Sequence, residues 1–426
     1  MEIKNLPFLP ADILLPQNCP MELWSVVACD QYTSQPEYWE RVEERVGKNP
    51  STLRLVLPES RLKEPGVEME IMEINNTMTH YLREGVLKEY PQSMIYVERM
   101  LSNGKLRRGL IGKLDLAQYD YEPASQVMVR ATEGTVLERI PPRVAVRKNA
   151  PVELPHVLLL ADDPERTLVE PIGAQTGEME LLYDFELMEG GGHIRGWLLT
   201  QTQIDQVLTA MEALADPVRF NGKYGTKNLP VMLFAVGDGN HSLATAKECY
   251  ERRKKLTRPE QWNDLPSRYA LVELGNLHDE SLEFEPIHRI VTGVEPEGLV
   301  EDLLAAYPGA YRGEGEGHVL RYVHKDGAGV ITVPKPDSQL AVGTLQNFLD
   351  GWLSTHPECE MDYIHGDEVA RELAQNPSEI AFLLPGMGKD ELFPTVIHDG
   401  VLPRKTFSMG EARDKRFYLE GRRIRR

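Results

Sequence analysis

Apolar residues recur along this chain in two rhythms, and the switches between them sketch its elements. Between 69 and 87, Ile71, Ile74, Met78 and Tyr81 fall on one face at helical spacing. Ile204, Val207, Leu208, Met211 and Leu214 form a second stripe, with Thr202 as its expected cap, and Leu345, Phe348, Leu349, Trp352 and Leu353 a third. Core packing explains such stripes without any ligand. Another helix opens at Gln35-Pro36-Glu37, since proline suits a first turn. Short apolar runs at 53–57, ending at Pro58, and at 380–384 have strand length. The segments 94–101 and 106–116 flank Asn103-Gly104, a strong hairpin signal. The segments 183–188 and 193–199 flank Gly190-Gly191-Gly192. No helix follows these glycines, so they read as a hairpin tip and not as a phosphate loop. The stretches 221–228 and 313–317 read as loops.

Strands that alternate with helices in places and pair as hairpins elsewhere predict an α+β fold. Its sheets should be mixed, in two or more lobes, rather than doubly wound. The 426 residues, at roughly 100–200 per domain, divide into an N-terminal lobe at 1–155, a central lobe at 156–335 and a C-terminal segment at 336–426 that packs back on the others. The chain lacks an apolar run of the ~20 residues a bilayer demands. Met1-Glu2-Ile3-Lys4-Asn5 lacks the basic-then-apolar pattern of a signal peptide, so a cytoplasmic protein away from membranes is expected. Cys19, Cys29, Cys249 and Cys359 stand at no C-x-x-C spacing and read as isolated thiols. A net charge of −19 opposes nucleic-acid binding. The basic tail Arg422-Arg423-Ile424-Arg425-Arg426 is the exception, and it reads as a solvated terminus.

Chemistry concentrates where an apolar run, 231–236, meets Gly237-Asp238-Gly239-Asn240-His241-Ser242. The run suits a central strand. The glycines permit a tight turn, and a helix should follow from about His241 to Lys255. The first N–H groups of such a helix lack partners within it and, with the helix dipole, favour an anion. Asp238 is suited to a metal or a ligand hydroxyl, and His241 to a phosphate or a proton transfer. Ser242 and Thr245 add hydroxyls, and Lys247 a positive charge. The competing reading is that Asp238 or Asn240 merely caps the helix.

Several motifs resemble, in order along the chain, those of the uncharacterised family known as domain of unknown function 1015. They are Trp24-Ser25-Val26-Val27-Ala28-Cys29-Asp30-Gln31-Tyr32, Asn49-Pro50 through Pro58-Glu59, Glu133-Gly134-Thr135, Asp162-Asp163-Pro164-Glu165, Tyr183-Asp184-Phe185, Gly237 to Ser242, Pro286-Ile287-His288-Arg289 and Leu402-Pro403-Arg404-Lys405-Thr406. The strand, turn and helix are also similar to those of free serine kinases on a ParB/sulfiredoxin-like fold. That resemblance implies nucleotide phosphates at the turn, a separate carboxylate that activates a hydroxyl, and ATP or ADP with Mg²⁺ as cofactors. Two positions depart from the kinase pattern D-G-H-H-R: Asn240 replaces its first His and Ser242 its Arg. The missing Arg removes a bidentate phosphate clamp, for which Arg289 or Lys405 are the candidates. Asp30 is the candidate base because it sits in a family motif.

His288-Arg289 reads as a proton donor beside an anion clamp, or else as a satisfied His and a paired Arg. Lys405-Thr406 reads as a phosphate contact or a solvated loop. His278-Asp279-Glu280 and His365-Gly366-Asp367-Glu368 lack H-E-x-x-H spacing and read as exposed loops, so no metal ligand is assigned. Serine-hydrolase, P-loop and Rossmann signatures are absent. The leading reading is a nucleotide-dependent phosphotransferase acting on a small hydroxylated metabolite such as an amino acid. Asp30, Asp238, His241 and His288 would do the chemistry, and Gly237, Gly239, Asn240, Ser242, Arg289, Lys405 and Thr406 would hold phosphate. A non-catalytic nucleotide or anion sensor and a scaffold with a capped turn are the alternatives.

Overall fold

The Asn103-Gly104 hairpin forms: Ile95–Met100 pairs antiparallel with Leu106–Asp115, with Ile95 opposite Ile111. Gly104 takes the positive φ, 79°, that such a turn demands. This hairpin lies within a computed structural model that describes residues 5–123, 125–135 and 140–425. The chain divides into two compact units, Met1–Leu282 with Glu411–Arg426, and Glu283–Gly410.

In the first unit a mixed sheet runs in the order Glu180–Glu186, His193–Leu198, Ile95–Met100, Leu106–Asp115, Tyr269–Asn276, Leu158–Ala161, Phe234–Asp238, Val129–Arg130 and Tyr119–Asp120. Tyr269–Asn276 is buried along almost its whole length, as a central strand should be. The boundary read between 155 and 156 falls inside this sheet. Leu158–Ala161, Phe234–Asp238 and Tyr269–Asn276 insert between strands that precede it in sequence. The second unit holds an antiparallel sheet in the order Tyr311–Arg312, Gly327–Val333, His318–His324, Glu379–Leu383, Glu285–Thr292 and Glu360–His365. The helices Pro296–Ala306, Ala341–Leu353, Asp367–Leu373 and Lys389–Asp399 complete that unit. The fold is thus α+β with mixed sheets. Among the described residues, no helix is long and apolar enough to cross a membrane.

Four local expectations are corrected. The run at 53–57 is not a strand: Ser51 accepts from Leu53 N–H and starts the 3₁₀ turn Thr52–Arg54. A local side-chain bond there outcompetes the ladder. Helix Gln201–Leu214 is capped by Thr200, not Thr202, in a reciprocal box with Gln203. Half of the loop read at 221–228 belongs to helix Pro217–Tyr224, which Asp216 caps and Gly225 closes.

The fourth correction matters most for the site. The tail is not a solvated terminus. Phe417–Tyr418 pairs with Val26–Val27, and Arg422–Arg423 pairs with Val152–Glu153. Phe417, Tyr418, Leu419 and Ile424 join the core cluster that contains Trp24, Val42 and Met78. Two of its described charges are paired in the interior, while Arg423 meets Glu89 at the surface. Arg416 donates to Glu273 and Glu420, each at 2.5 Å, and Arg422 to Glu153 at 2.7 Å. A basic segment can be buried when each charge meets an opposite one.

Candidate anion site at the Gly239 turn

The strand Phe234–Asp238 lies antiparallel to Leu158–Ala161 and parallel to Val129–Arg130. It begins later than its apolar run and extends through Gly237 and Asp238, with Asp238 opposite Leu158. The turn is therefore a single residue. Gly239 sits at φ 81° and ψ 27°, and helix Asn240–Lys255 starts directly after it. A Cβ on Gly239 would lie 3.1 Å from Val157 Cα and 3.3 Å from the His156 carbonyl oxygen. Left-handed backbone and close approach both select glycine here. Gly237 serves a different end. It is inside the strand, and a Cβ there would meet Leu160 at 2.7 Å, so its bareness is needed for packing.

The capped-turn reading has little support in this geometry. Glycine has no side chain to offer the helix. Asp238 Oδ1 accepts from Gly239 N–H at 2.9 Å, and its Oδ2 lies 3.2 Å from Lys415 Nζ. Asn240 is buried and faces Thr132: its Oδ1 accepts from Thr132 N–H and its Nδ2 donates to Thr132 Oγ1, each at 3.2 Å. No acidic residue stands in the first helical turn, whereas Arg252, Arg253, Lys254 and Lys255 crowd the last. The basic end complements the helix dipole, whereas the first turn itself offers no carboxylate and Asp238 stands just before it. His241 and Ser242 occupy this first turn, half-buried.

Groups from distant segments gather around the turn. Lys415 comes from the tail. Asp30 is half-buried and accepts from Gln31 Nε2 at 3.0 Å. Burial would raise its pKa, but His156, Gln31 and Lys415 together outweigh burial and hold the carboxyl below its usual range. His156 Nδ1 lies 2.9 Å from the Tyr418 hydroxyl, which also meets Cys29 Sγ at 3.0 Å and Cys29 N–H at 3.1 Å. Burial, reinforced by Asp30, pushes the Cys29 thiol up to about 12, so it is no nucleophile at neutral pH. Beside this cluster a cavity of about 130 Å³ is lined by His156, Ser242, Thr245 and Tyr418, with Leu55, Leu57 and Met78 among its apolar walls. Lys247, by contrast, is spent on the Leu116 carbonyl at 2.9 Å and on Glu251 at 3.3 Å.

His288, Arg289, Lys405 and Thr406 belong to the second unit, so the first unit brings together Asp30, Gly237, Asp238, Gly239, Asn240, His241 and Ser242 only. His288 lies on Glu285–Thr292, and its Nδ1 accepts from Leu384 N–H at 3.1 Å. Burial depresses its pKa against the opposing pull of Asp367, so it is neutral at pH 7. Arg289 is fully buried and makes four bonds, to Gln346 Oε1 at 2.8 Å and to the carbonyls of Ile287, Arg404 and Lys405 at 2.6, 2.6 and 3.0 Å. Its guanidinium clamps the Arg404-Lys405 backbone, and these bonds take four of its five donors, leaving too few for a bidentate phosphate clamp. Lys405 takes a left-handed φ of 53° in that clamped loop. Thr406 donates to the Pro403 carbonyl at 2.7 Å. The two His-acid segments are not both exposed loops: His278 lies 2.6 Å from Asp162 in a turn where Asp279 is buried, and His365, 2.6 Å from Glu285, ends strand Glu360–His365 just before helix Asp367–Leu373. Sequence reasoning missed Lys415, His156 and Tyr418.

Comparison with known proteins finds a match, over residues 13–352, to a family described as protein of unknown function (DUF1015). No curated protein matches the chain. Among solved structures, it is similar to a free serine kinase in complex with AMP, at 12% identity and a TM-score of 0.36, covering 74% of this chain and 90% of that one. It is also similar to SbnI with a C-terminal truncation from Staphylococcus aureus, at 11% identity and a TM-score of 0.35, covering 72% and 82%. A conserved hypothetical protein from Pyrococcus furiosus shows 16% identity and a TM-score of 0.29, covering 42% and 70%.

Proposed function

This chain belongs to the DUF1015 family of proteins of unknown function, and we propose that its first unit binds the phosphates of ATP or ADP at the Gly239 turn and transfers a phosphoryl group to a small hydroxylated metabolite such as an amino acid. One observation carries the reading. A glycine-only turn opens a long helix that has no acidic first turn, a lysine from the tail meets Asp238 beside it, and that lysine also acts on the Asp30 carboxylate.

The chemistry asks for little more. Phosphoryl transfer depends on positioning and on charge stabilisation, with little covalent work for the protein. In this reading the backbone at Gly239 and the first helical turn, with His241 and Ser242, hold phosphate oxygens. Asp30, held ionised, takes the proton as the metabolite's hydroxyl oxygen bonds to phosphorus, and the bond to the departing ADP breaks. Asp238 positions the turn through its bond to Gly239 N–H. Its carboxylate and that of Asp30 are hard oxygen donors of the type Mg²⁺ takes alongside phosphate oxygens. Bound there, the ion would offset phosphate charge.

The test is a thermal-shift screen with ATP, ADP and phosphate, with and without Mg²⁺, followed by incubation with ATP and pooled hydroxylated metabolites. Ligand at about 100 times Kd stabilises by roughly 2.7 kcal/mol, so binding should be plain. ADP formation that requires one metabolite supports the kinase reading. A shift without turnover converts it to a sensor. No shift with any of these ligands refutes both.

A further inference from the structure

The proposed site has a charge problem that its motif does not solve. An anion at the Gly239 turn needs a cation, and between Gly237 and Ser242 only His241 can become one. Lys247 is committed to Leu116 and Glu251. Arg289 has four of its five donors on protein oxygens of the second unit.

We infer that Lys415, delivered by the C-terminal segment 411–425, is the residue that binds the phosphate, and that Asp238 aims it. This rests on the phosphate-binding reading of the turn. Three observations carry it. First, Asp238 grips Lys415 Nζ with one oxygen, at 3.2 Å, and Gly239 N–H with the other, at 2.9 Å. The ammonium is therefore one carboxylate away from the turn, and an ammonium has three donors, so one bond to Asp238 leaves capacity for a phosphate oxygen. Secondly, Lys415, with His156 and Gln31, helps to hold the Asp30 carboxyl below its usual range, so its charge is felt by that carboxylate as well as by Asp238. Thirdly, its backbone is fixed. The Lys415 carbonyl accepts from Arg99 at 2.6 Å, Ala28 N–H donates to the Arg416 carbonyl at 2.9 Å, and Arg416 is locked by Glu273 and Glu420. Such anchoring exceeds what a solvated surface lysine requires. The Lys415 side chain is still 20% exposed, so a ligand can reach it. The segment lies beyond the residues that match the family, 13–352. The site is thus built from the matched region and a tail that returns to it.

The experiment uses the full chain and measures Kd for ATP and for inorganic pyrophosphate in K415A, K415Q, K415R and D238N, at two salt concentrations. K415A and K415Q should keep the wild-type melting temperature to within a few degrees and weaken Kd by about tenfold or more, in line with the worth of a charge-assisted contact. K415R should recover most of the affinity. D238N, which retains an oxygen for Gly239 N–H, should stay closer to wild type than K415Q. The salt dependence of Kd should be shallower in K415Q, a change that lost packing would not produce. Should K415A fail to fold, K415Q keeps the stem and tests the charge alone. Wild-type affinity in K415Q overturns the role of Lys415 and leaves the phosphate site standing. Absence of binding by the wild type overturns the phosphate reading itself.

Discussion

Replacing Gly239 with alanine separates two demands that the turn makes on one residue. The first is conformational. At φ 81° and ψ 27°, a Cβ costs about 1–2 kcal/mol. The second is spatial. The new methyl would stand 3.1 Å from Val157 Cα and 3.3 Å from the His156 carbonyl, both backbone atoms of the neighbouring segment. Forcing that contact adds about 1 kcal/mol or more. Against these, alanine stiffens the unfolded chain and returns about 0.4–1 kcal/mol. The net loss should be about 1–2.6 kcal/mol, or more where the contact resists. Gly66 supplies the control, because it too precedes a helix at positive φ, 88°, but a Cβ there would meet nothing within 4 Å. G66A should cost only the conformational part, about 0–1.6 kcal/mol after the same offset. G239N should recover some of the strain, since asparagine tolerates this backbone, but not the crowding. Urea denaturation of the three variants reads all these differences, and the ATP-dependent thermal shift should vanish in G239A. Equal losses in G239A and G66A, within about 0.5 kcal/mol, would remove the close approach. No loss in G239A would remove the left-handed turn.

Three further outcomes follow from buried charge. R289Q should destabilise the second unit by about 3 kcal/mol or more, since it strands carbonyls at about 1–3 kcal/mol each, while leaving the ATP-induced shift intact; calorimetry with and without ATP checks both. R416M leaves Glu273 and Glu420 buried without their shared partner and should cost about 3–5 kcal/mol by chemical denaturation. The depressed pKa of His288 makes the second unit lose stability as pH falls below about 6.5, because the unfolded chain then binds a proton that the folded one refuses. H288Q should flatten that slope between pH 7.5 and 5.5, and an unchanged slope would show that His288 is not the titrating group.

What could be read from the sequence was local. Asn103-Gly104 closes its hairpin with its own backbone, and Gly239 is demanded by the junction it occupies, so both were visible in their neighbours. The segment 53–57 misled because apolar character says that it is buried, as Leu53, Leu55, Val56 and Leu57 all are, but not in what conformation. The partners of Arg289 were out of reach for a related reason. Its type suits anion binding, and only the fold shows that the carbonyls of Arg404 and Lys405 are its partners. The tail carried a missed signal. Phe417, Tyr418 and Leu419 give it an apolar centre that a solvated terminus has no need for, and Arg416, Glu420 and Arg422 around them could have suggested paired charges.

The long-range pairings explain why the turn could be recognised when its surroundings could not. Leu158 opposite Asp238 places His156 and Val157 against Gly239. Val26–Val27 pairs with Phe417–Tyr418, which brings the chain that leads to Asp30 beside the chain that carries Lys415. Each polar group at the turn is thus delivered by a ladder whose other strand is remote in sequence. A motif search finds the glycine and the helix, because those follow from backbone conformation. It cannot find the cation, because the position of Lys415 follows from Arg99, Glu273 and Glu420, none of which lies near Asp238 in the chain. Substitutions at those three anchors should therefore weaken anion binding through the tail, with the turn itself unchanged.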